Sequence, residues 1–340
     1  MSSSSVCRTA STWPSALVCA PKTWRCGSST PASSRSASAS KPTCAARSNW
    51  GLQRPSRTKR CTCCRPTRRC SRCARFCSGP GTCVASGKIR LVHLYPDLMS
   101  VYGDRGNVLT LWRRAEWRGI ELEVKELTLG DTLDPAEADL IFFGGGQDRE
   151  QAVVSPDFLR QKGEAVREAV EDGAALLSVC GGYQLLGQSY TTVEGQELPG
   201  AGLFDVRSVP GPQRHIGNVL IETDLDGQRR TLVGFENHSG RTFLGPGVRP
   251  LGRTVVGAGN NGEDGTEGAV IKTAIGCYLH GSLLPKNPWL ADRLLAAALH
   301  HRLREPVTLE PLDDRLEEEA HQAVAARIRG AGGRVKSGAW

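Results

Sequence analysis

No stretch of about 18 consecutive apolar residues occurs in the 340-residue chain, so its pattern offers no transmembrane helix. Residues 1–87 contain no Asp, Glu, Ile or His, yet they hold 15 of the 43 Lys and Arg. The remainder, 88–340, carries 28 basic and all 35 acidic residues, a net charge of −7. The overall charge of +8 therefore averages two unlike parts, and the acidic one gives no electrostatic case for nucleic acid. Cysteine is nearly missing beyond residue 83: only Cys180 and Cys277 of the 13 lie there, which excludes a disulfide framework. No Gly-x-x-x-x-Gly-Lys-[Ser/Thr] phosphate loop and no internal repeat is found.

The first 87 residues are Ser, Arg, Cys, Pro, Ala and Thr without periodic order, which cannot build a packed core. No sustained apolar run follows the start, so this is no secretory signal. "CTCCRPTRRCSRCARFC", Cys61 to Cys77, offers Cys70 and Cys73 at a zinc-like spacing, but the other spacings are irregular and no His accompanies them. Three readings fit the segment. The first is a non-native extension, from an upstream start or an out-of-frame read. The others are a disordered basic tail and a zinc or nucleic-acid module.

Order begins at "KIRLVHLYP", where residues 89–94 suit a buried strand. "NVLTLWRRAEWRG" from Asn107 has helical spacing and stops at Gly119. "ELEVKELT" alternates as a strand, and "ADLIFFGGG" is a short apolar run ending in glycines. "SPDFLRQKGEAVREAVEDG" predicts a helix with Ser155 as N-cap and Pro156 in its first turn, and "ALLSV" predicts the next strand. This β-α-β-β-α-β order predicts an α/β fold, a mostly parallel open sheet with helices on both faces. Residues 190–280 read as further strands and hairpins, and "NPWLADRLLAAALHHRL" from Asn287 as a helix. The domain is expected over 88–305. Residues 306–340 form a C-terminal extension, with an exposed helix within 313–330.

"ALLSVCGGYQLLG", residues 175–187, places Cys180 at the end of a buried strand before two glycines and a helical pattern. Functional groups of open α/β sheets collect at the carboxyl ends of strands. A nucleophile on a sharp strand-to-helix turn is held out of the sheet in a strained backbone, and Gly181 and Gly182 leave room for the turn and a substrate. The N–H groups opening the helix favour a thiolate. A lone cysteine there could equally be a small buried hydrophobe. Two features favour the nucleophile. "FFGGGQDREQ" puts Gly144, Gly145 and Gly146 at a neighbouring strand end, where N–H groups can form part of an oxyanion hole with Gly181. "GCYLHG" ends a late strand at His280, which can face the same sheet edge. Alternation turns Cys277 to the opposite face. His215, His238, His300 and His301 read as surface or structural.

With "SVCGGYQLLG" and "YLHG" in hand, the chain resembles class I glutamine amidotransferase domains of the CobB/CobQ-like type, which are flavodoxin-like. "YPDLMSVYGDRGN" (Tyr95 to Asn107), "FFGGGQDREQ", "GFENHSGRT" (Gly234 to Thr242) and "YLHGSLLPKNP" extend the likeness to the glutaminase subunits of lipid II isoglutaminyl synthases, over about residues 88–305. The resemblance implies hydrolysis of L-glutamine to glutamate and ammonia. It also implies a MurT-like Mur ligase as heterodimer partner, which uses that ammonia to amidate the D-glutamate of the lipid II stem peptide in peptidoglycan synthesis. ATP and Mg are expected on that partner, with no cofactor or metal in this chain. The place of action is cytoplasmic, at the inner face of the membrane. Cys180 is then the nucleophile and His280 the acid/base. Gly145, Gly146 and Gly181 form the oxyanion hole, and Arg214 of "RHIGN" and Gln184 contact glutamine. Arg214 could otherwise be a solvated surface residue, and Gln184 a residue of the helix surface.

One position departs from the class pattern. An acidic residue two places after the catalytic His is usual, and here Ser282 stands there. The orienting acid is dispensable, comes from elsewhere in the chain, or is supplied by the partner. Partner supply predicts a weak glutaminase in isolation. Two other functions remain open: a glutaminase for a different CobB/CobQ-type amidation, such as that of corrin precursors, and a non-catalytic interaction subunit of the same fold.

Overall fold

The computed structural model describes residues 87–330. The cysteine-rich segment, with its zinc-like pair and the three readings of its origin, lies outside the described residues up to residue 86. Twelve strands and six helices follow in order: β1 (Lys88–Leu94), α1 (Arg105–Trp117), β2 (Glu121–Leu127), β3 (Leu140–Phe143), α2 (Asp148–Gln161), α3 (Gly163–Asp172), β4 (Ala175–Val179), α4 (Gly181–Leu185), β5 (Ser189–Thr191), β6 (Glu197–Pro199), β7 (Val206–Thr223), β8 (Arg230–Leu244), β9 (Gly252–Val256), β10 (Thr266–Glu267), β11 (Ala269–Ile271), β12 (Ala274–Cys277), α5 (Pro288–Leu303) and α6 (Arg315–Gly330).

The first sheet has the order β11-β12-β4-β3-β1-β2 and is parallel except for β11 against β12. The chain steps from β1 to β2 in one direction and from β3 to β4 in the other. Right-handed crossovers therefore place α1 on one face and α2 with α3 on the other. Every residue of β3 and β4 is buried, as a strand covered on both faces requires. The apolar runs "LIFF" and "ALLSV" are the sequence record of that double cover. A second, largely antiparallel sheet, β10-β9-β7-β5-β6 with β8 against β7, is built from residues 189–267 and supplies the hairpins expected there.

Two expectations change. The helix read from Ser155 begins at Asp148 instead and carries Pro156 inside it. Asp148 and Glu150 fill its first turn, where negative side chains meet the unpaired N–H groups, and this start prevails over the Ser-Pro signal. Ser155 does not cap; its hydroxyl donates to the Pro199 carbonyl at 3.1 Å. The helix also breaks at Lys162, so α3 is separate. The C-terminal helix α6 buries one edge, at Ala325 and Ile328. Ala325 and Ile328 of α6 pack on Leu220 and Val233 of the second sheet, and His321 bonds Thr231 Oγ1 and the Lys286 carbonyl, both at 2.8 Å.

Candidate active site

Cys180 follows β4 directly, with φ 50° and ψ −108°. A non-glycine residue at that φ is strained, and the structure holds it by a bond from the Cys180 N–H to the Cys277 carbonyl at 2.8 Å. The turn works only because the next residues lack side chains: a Cβ on Gly182 would lie 2.6 Å from the Phe143 carbonyl oxygen. α4 is five residues long, so it contributes its first N–H groups rather than a long-helix dipole.

His280 does not end the strand as expected. The ladder of β12 stops at Cys277, and His280 is held three residues on by reciprocal backbone bonds with Phe235 of β8, at 2.8 and 3.1 Å. Its ring lies beside Cys180: a Cβ built on Gly145 would fall 2.7 Å from His280 Cε1 and 3.3 Å from Cys180 Cβ. Glycine at 145 thus keeps open the space in which the two meet.

The orienting acid is present, and it is Asp104. Its carboxylate Oδ1 lies 3.2 Å from His280 Nδ1, and its Oδ2 accepts from the Gly145 N–H at 2.8 Å. Asp104 and His280 are both fully buried. Asp104 occupies the N-cap of α1, but its side chain makes no capping bond and is turned to His280 instead. Ser282, at the place where an acid is usual, donates to the Gly103 carbonyl at 2.7 Å and so braces the turn that carries Asp104. Burial disfavours charge on His280, but the Cys180 sulfur charge and the Asp104 carboxylate outweigh it and push the imidazole up to about 10. The protonated ring is therefore favoured beside the Cys180 sulfur.

The glycine loop divides its work. The Gly145 N–H is engaged by Asp104, which separates it from the other two expected oxyanion donors. The Gly146 nitrogen lies within 2.9 Å of a Cβ built on Gly181, so these two backbone positions are neighbours next to Cys180.

A cavity of about 390 Å³ opens over Cys180, lined among others by Gly146, Gln184, Arg214, Tyr102 and Gly240. Arg214 is half-buried in the cavity wall: its Nε donates to Asn237 Oδ1 at 2.5 Å, and its Nη2 lies 3.4 Å from the Tyr102 hydroxyl. Tyr102 also packs edge-on against His280, with centroids 5.1 Å apart. Gln184 is buried and bonded to Tyr278. Cys277 is fully buried, and burial pushes its thiol well up. Of the remaining histidines, His301 bridges Asp139 and Asp172, and His238 lies in the pocket wall with burial pushing its imidazole down to about 3. Sequence reasoning missed Asp104 and Tyr102. Both sit in "YPDLMSVYGDRGN", which carried the family likeness without a role for either. Among the described residues no group of three or more His, Cys, Asp or Glu could hold a metal ion.

The CobB/CobQ-like glutamine amidotransferase domain profile matches residues 90–288. Subunit GatD of the glutamine-hydrolysing lipid II isoglutaminyl synthase of Staphylococcus aureus is 41% identical over 244 residues, covering 71% of this chain and 96% of that protein. The chain belongs to the CobB/CobQ-like glutamine amidotransferases, in the group of the GatD subunits. GatD of Streptococcus pneumoniae is 39% identical over 234 residues, covering 68% of this chain and 88% of that protein. A cobyric acid synthase of Rhodobacter capsulatus is 35% identical over 154 residues, but the match spans only 30% of that protein. Family membership fits a site in which a strained cysteine opens into a pocket, backed by a buried histidine and carboxylate. Among the described residues no helix is long and apolar enough to cross a membrane.

Proposed function

We propose that this chain is the glutaminase subunit of a lipid II isoglutaminyl synthase and works through a Cys180 thioester. The reading is carried by Cys180 opening into the cavity with His280 beside it and Asp104 bonded to His280 from behind. The Cys180 thiolate attacks the side-chain amide carbon of L-glutamine. The oxyanion that forms accepts from the Gly146 and Gly181 N–H groups, which are worth most where water is excluded. His280 gives its proton to the amide nitrogen as the C–N bond breaks, and ammonia leaves. Water then attacks the thioester carbon, His280 takes the water's proton, and glutamate departs with the thiolate–imidazolium pair restored. Asp104 holds the imidazole in the required tautomer throughout.

Arg214 takes the α-carboxylate of glutamine, a task suited to a planar fork of donors, and Gln184 contacts the substrate beside it. The ammonia passes to a MurT-like ligase in a heterodimer. That partner holds ATP and Mg and amidates the D-glutamate of the lipid II stem peptide at the inner face of the membrane. The relatives' names, glutamine-hydrolysing subunits of lipid II isoglutaminyl synthases, support the subunit role and the lipid II acceptor.

The test is glutamate release from L-glutamine by the full chain, with Cys180→Ala as the blank. Transfer of nitrogen from amide-labelled glutamine onto lipid II, with the ligase present, follows. Glutamate without transfer would leave a glutaminase serving another acceptor, and no glutamate at all would refute the reading.

A further inference from the structure

The segment "GFENHSGRT" runs along β8, and His238, Ser239 and Gly240 line the pocket, yet none of these side chains enters the proposed chemistry. The side chains of this segment are arranged around Tyr278. The His238 ring lies flat on the Tyr278 ring, with centroids 3.7 Å apart and planes 12° apart. Thr242 Oγ1 is 2.6 Å from the Tyr278 hydroxyl and 2.6 Å from Ser208 Oγ. On the pocket side, Gln184 Nε2 donates to the Tyr278 hydroxyl at 2.9 Å. Ser208, Thr242, Tyr278 and Gln184 are all buried. Gly240 is part of the arrangement, because a Cβ there would lie 2.4 Å from Gln184 Nε2.

The direction of the chain has a consequence. With Gln184 donating to Tyr278, the tyrosine proton is left free for Thr242, and the Thr242 proton for Ser208. With its nitrogen on Tyr278, the Gln184 amide presents Oε1 on its other side. Gln184 Oε1 is buried with no hydrogen-bond partner among the described residues. Leaving such an oxygen unpaired is unfavourable, so a ligand that donates to it relieves that cost. Gln184 lies one helical turn beyond Cys180 and lines the cavity. With the carboxylate of glutamine on Arg214, the donor next to that carboxylate is the α-ammonium.

We propose that the Ser208–Thr242–Tyr278 hydroxyl chain is a positioning device, which holds the Gln184 amide oxygen toward the substrate's α-ammonium and so selects L-glutamine over its deaminated analogue. The inference rests on the glutaminase reading and names what sets its substrate specificity.

The experiment compares L-glutamine with 4-carbamoylbutanoate, which keeps the amide and carboxylate but lacks the α-amine, each as substrate or as competing ligand of the full chain. Tyr278→Phe should raise KM for L-glutamine about tenfold with kcat nearly unchanged, and leave the analogue unaffected, so that selectivity falls about tenfold. Should Tyr278→Phe fail to fold, Thr242→Val serves: it frees the tyrosine O–H to donate to Gln184, which turns the amide over and costs the same selectivity. Thr242→Ser keeps the hydroxyl and should retain it. Equal treatment of the two compounds by the parent chain, or a variant that weakens both by one factor, would overturn the inference alone. A parent chain that hydrolyses neither would remove the glutaminase reading and this inference with it.

Discussion

Asp104 and His280 stand 176 residues apart in the chain and 3.2 Å apart in the fold, carboxylate to Nδ1. The acid that is lacking at Ser282 is thus supplied within the chain, from the turn before α1. No partner is required to orient the imidazole. The isolated chain is therefore expected to release glutamate without a ligase, contrary to the partner-supplied acid that the sequence left open. Asp104→Asn should lower kcat by about 1,000- to 10,000-fold with KM little changed, since it favours the wrong tautomer while keeping the shape. Steady-state glutamate release measures it. A variant within threefold of the parent would remove Asp104 from the mechanism.

Reactivity should separate the two cysteines. Cys180 lines the cavity beside an imidazole pushed up to about 10, whereas the Cys277 thiol is pushed well up by burial and is fully enclosed. An electrophilic glutamine analogue such as diazo-oxo-norleucine should add once, and peptide mass spectrometry should place it on Cys180. Excess L-glutamine should slow the labelling. An adduct on Cys277 would reject the nucleophile assignment.

What was legible in the sequence was what local pattern encodes. "LIFFGGG" and "ALLSVCGG" are apolar runs cut off by glycine, and both proved to be buried strands ending at the site. Asp104 was not legible, because an aspartate before a helix is ordinarily a cap, and only the fold shows that its carboxylate is used elsewhere. The start of α2 was misread because Ser155 and Pro156 give a strong local signal that the acidic first turn at Asp148 outweighs. The glycines at 144–146 were visible, but not that Asp104 takes the Gly145 N–H, since that bond joins residues 41 apart.

Glu267 should leave a signature in the pH dependence of stability. Its buried carboxyl accepts from the Tyr278 N–H at 2.6 Å. Burial and the nearby Glu236 raise it to about 8 from an ordinary 4.5, while the Tyr278 and Gly268 N–H groups and the His280 imidazolium pull the other way. Between about pH 4.5 and pH 8 the native chain keeps a proton that the unfolded chain has lost. This contribution is full below that window and is lost as pH rises through it. Glu267→Gln is neutral at every pH. Its stability relative to the parent should rise between pH 5 and pH 8.5, by a few kcal/mol at most on a scale of about 1.4 kcal/mol per pH unit. Urea midpoints at the two pH values give the comparison. A difference constant with pH would mean that Glu267 is ionised in the fold throughout.

The C-terminal helix should loosen as a unit when either of two anchors beside the His321 bonds is cut. The first anchor is electrostatic. Arg114 is buried and holds Asp292 at 2.7 Å and Asp314 at 2.6 Å, and Asp314 immediately precedes α6. Asp314→Asn leaves a buried guanidinium short of one counter-charge, a loss of about 1–3 kcal/mol once the partial exposure of Asp314 is discounted. The second anchor is apolar, Ala325 and Ile328 against Leu220 and Val233. Ile328→Ala should cost about 2 kcal/mol, at the low end for such a truncation because the helix lies at the surface. Both substitutions release the same segment, so the double variant should cost clearly less than the sum of the two. Amide exchange should quicken along Arg315–Gly330 in either single variant, while the amides of β4 stay protected. Full additivity, with α6 amides unchanged, would show that Arg114 and Ile328 hold the molecule independently.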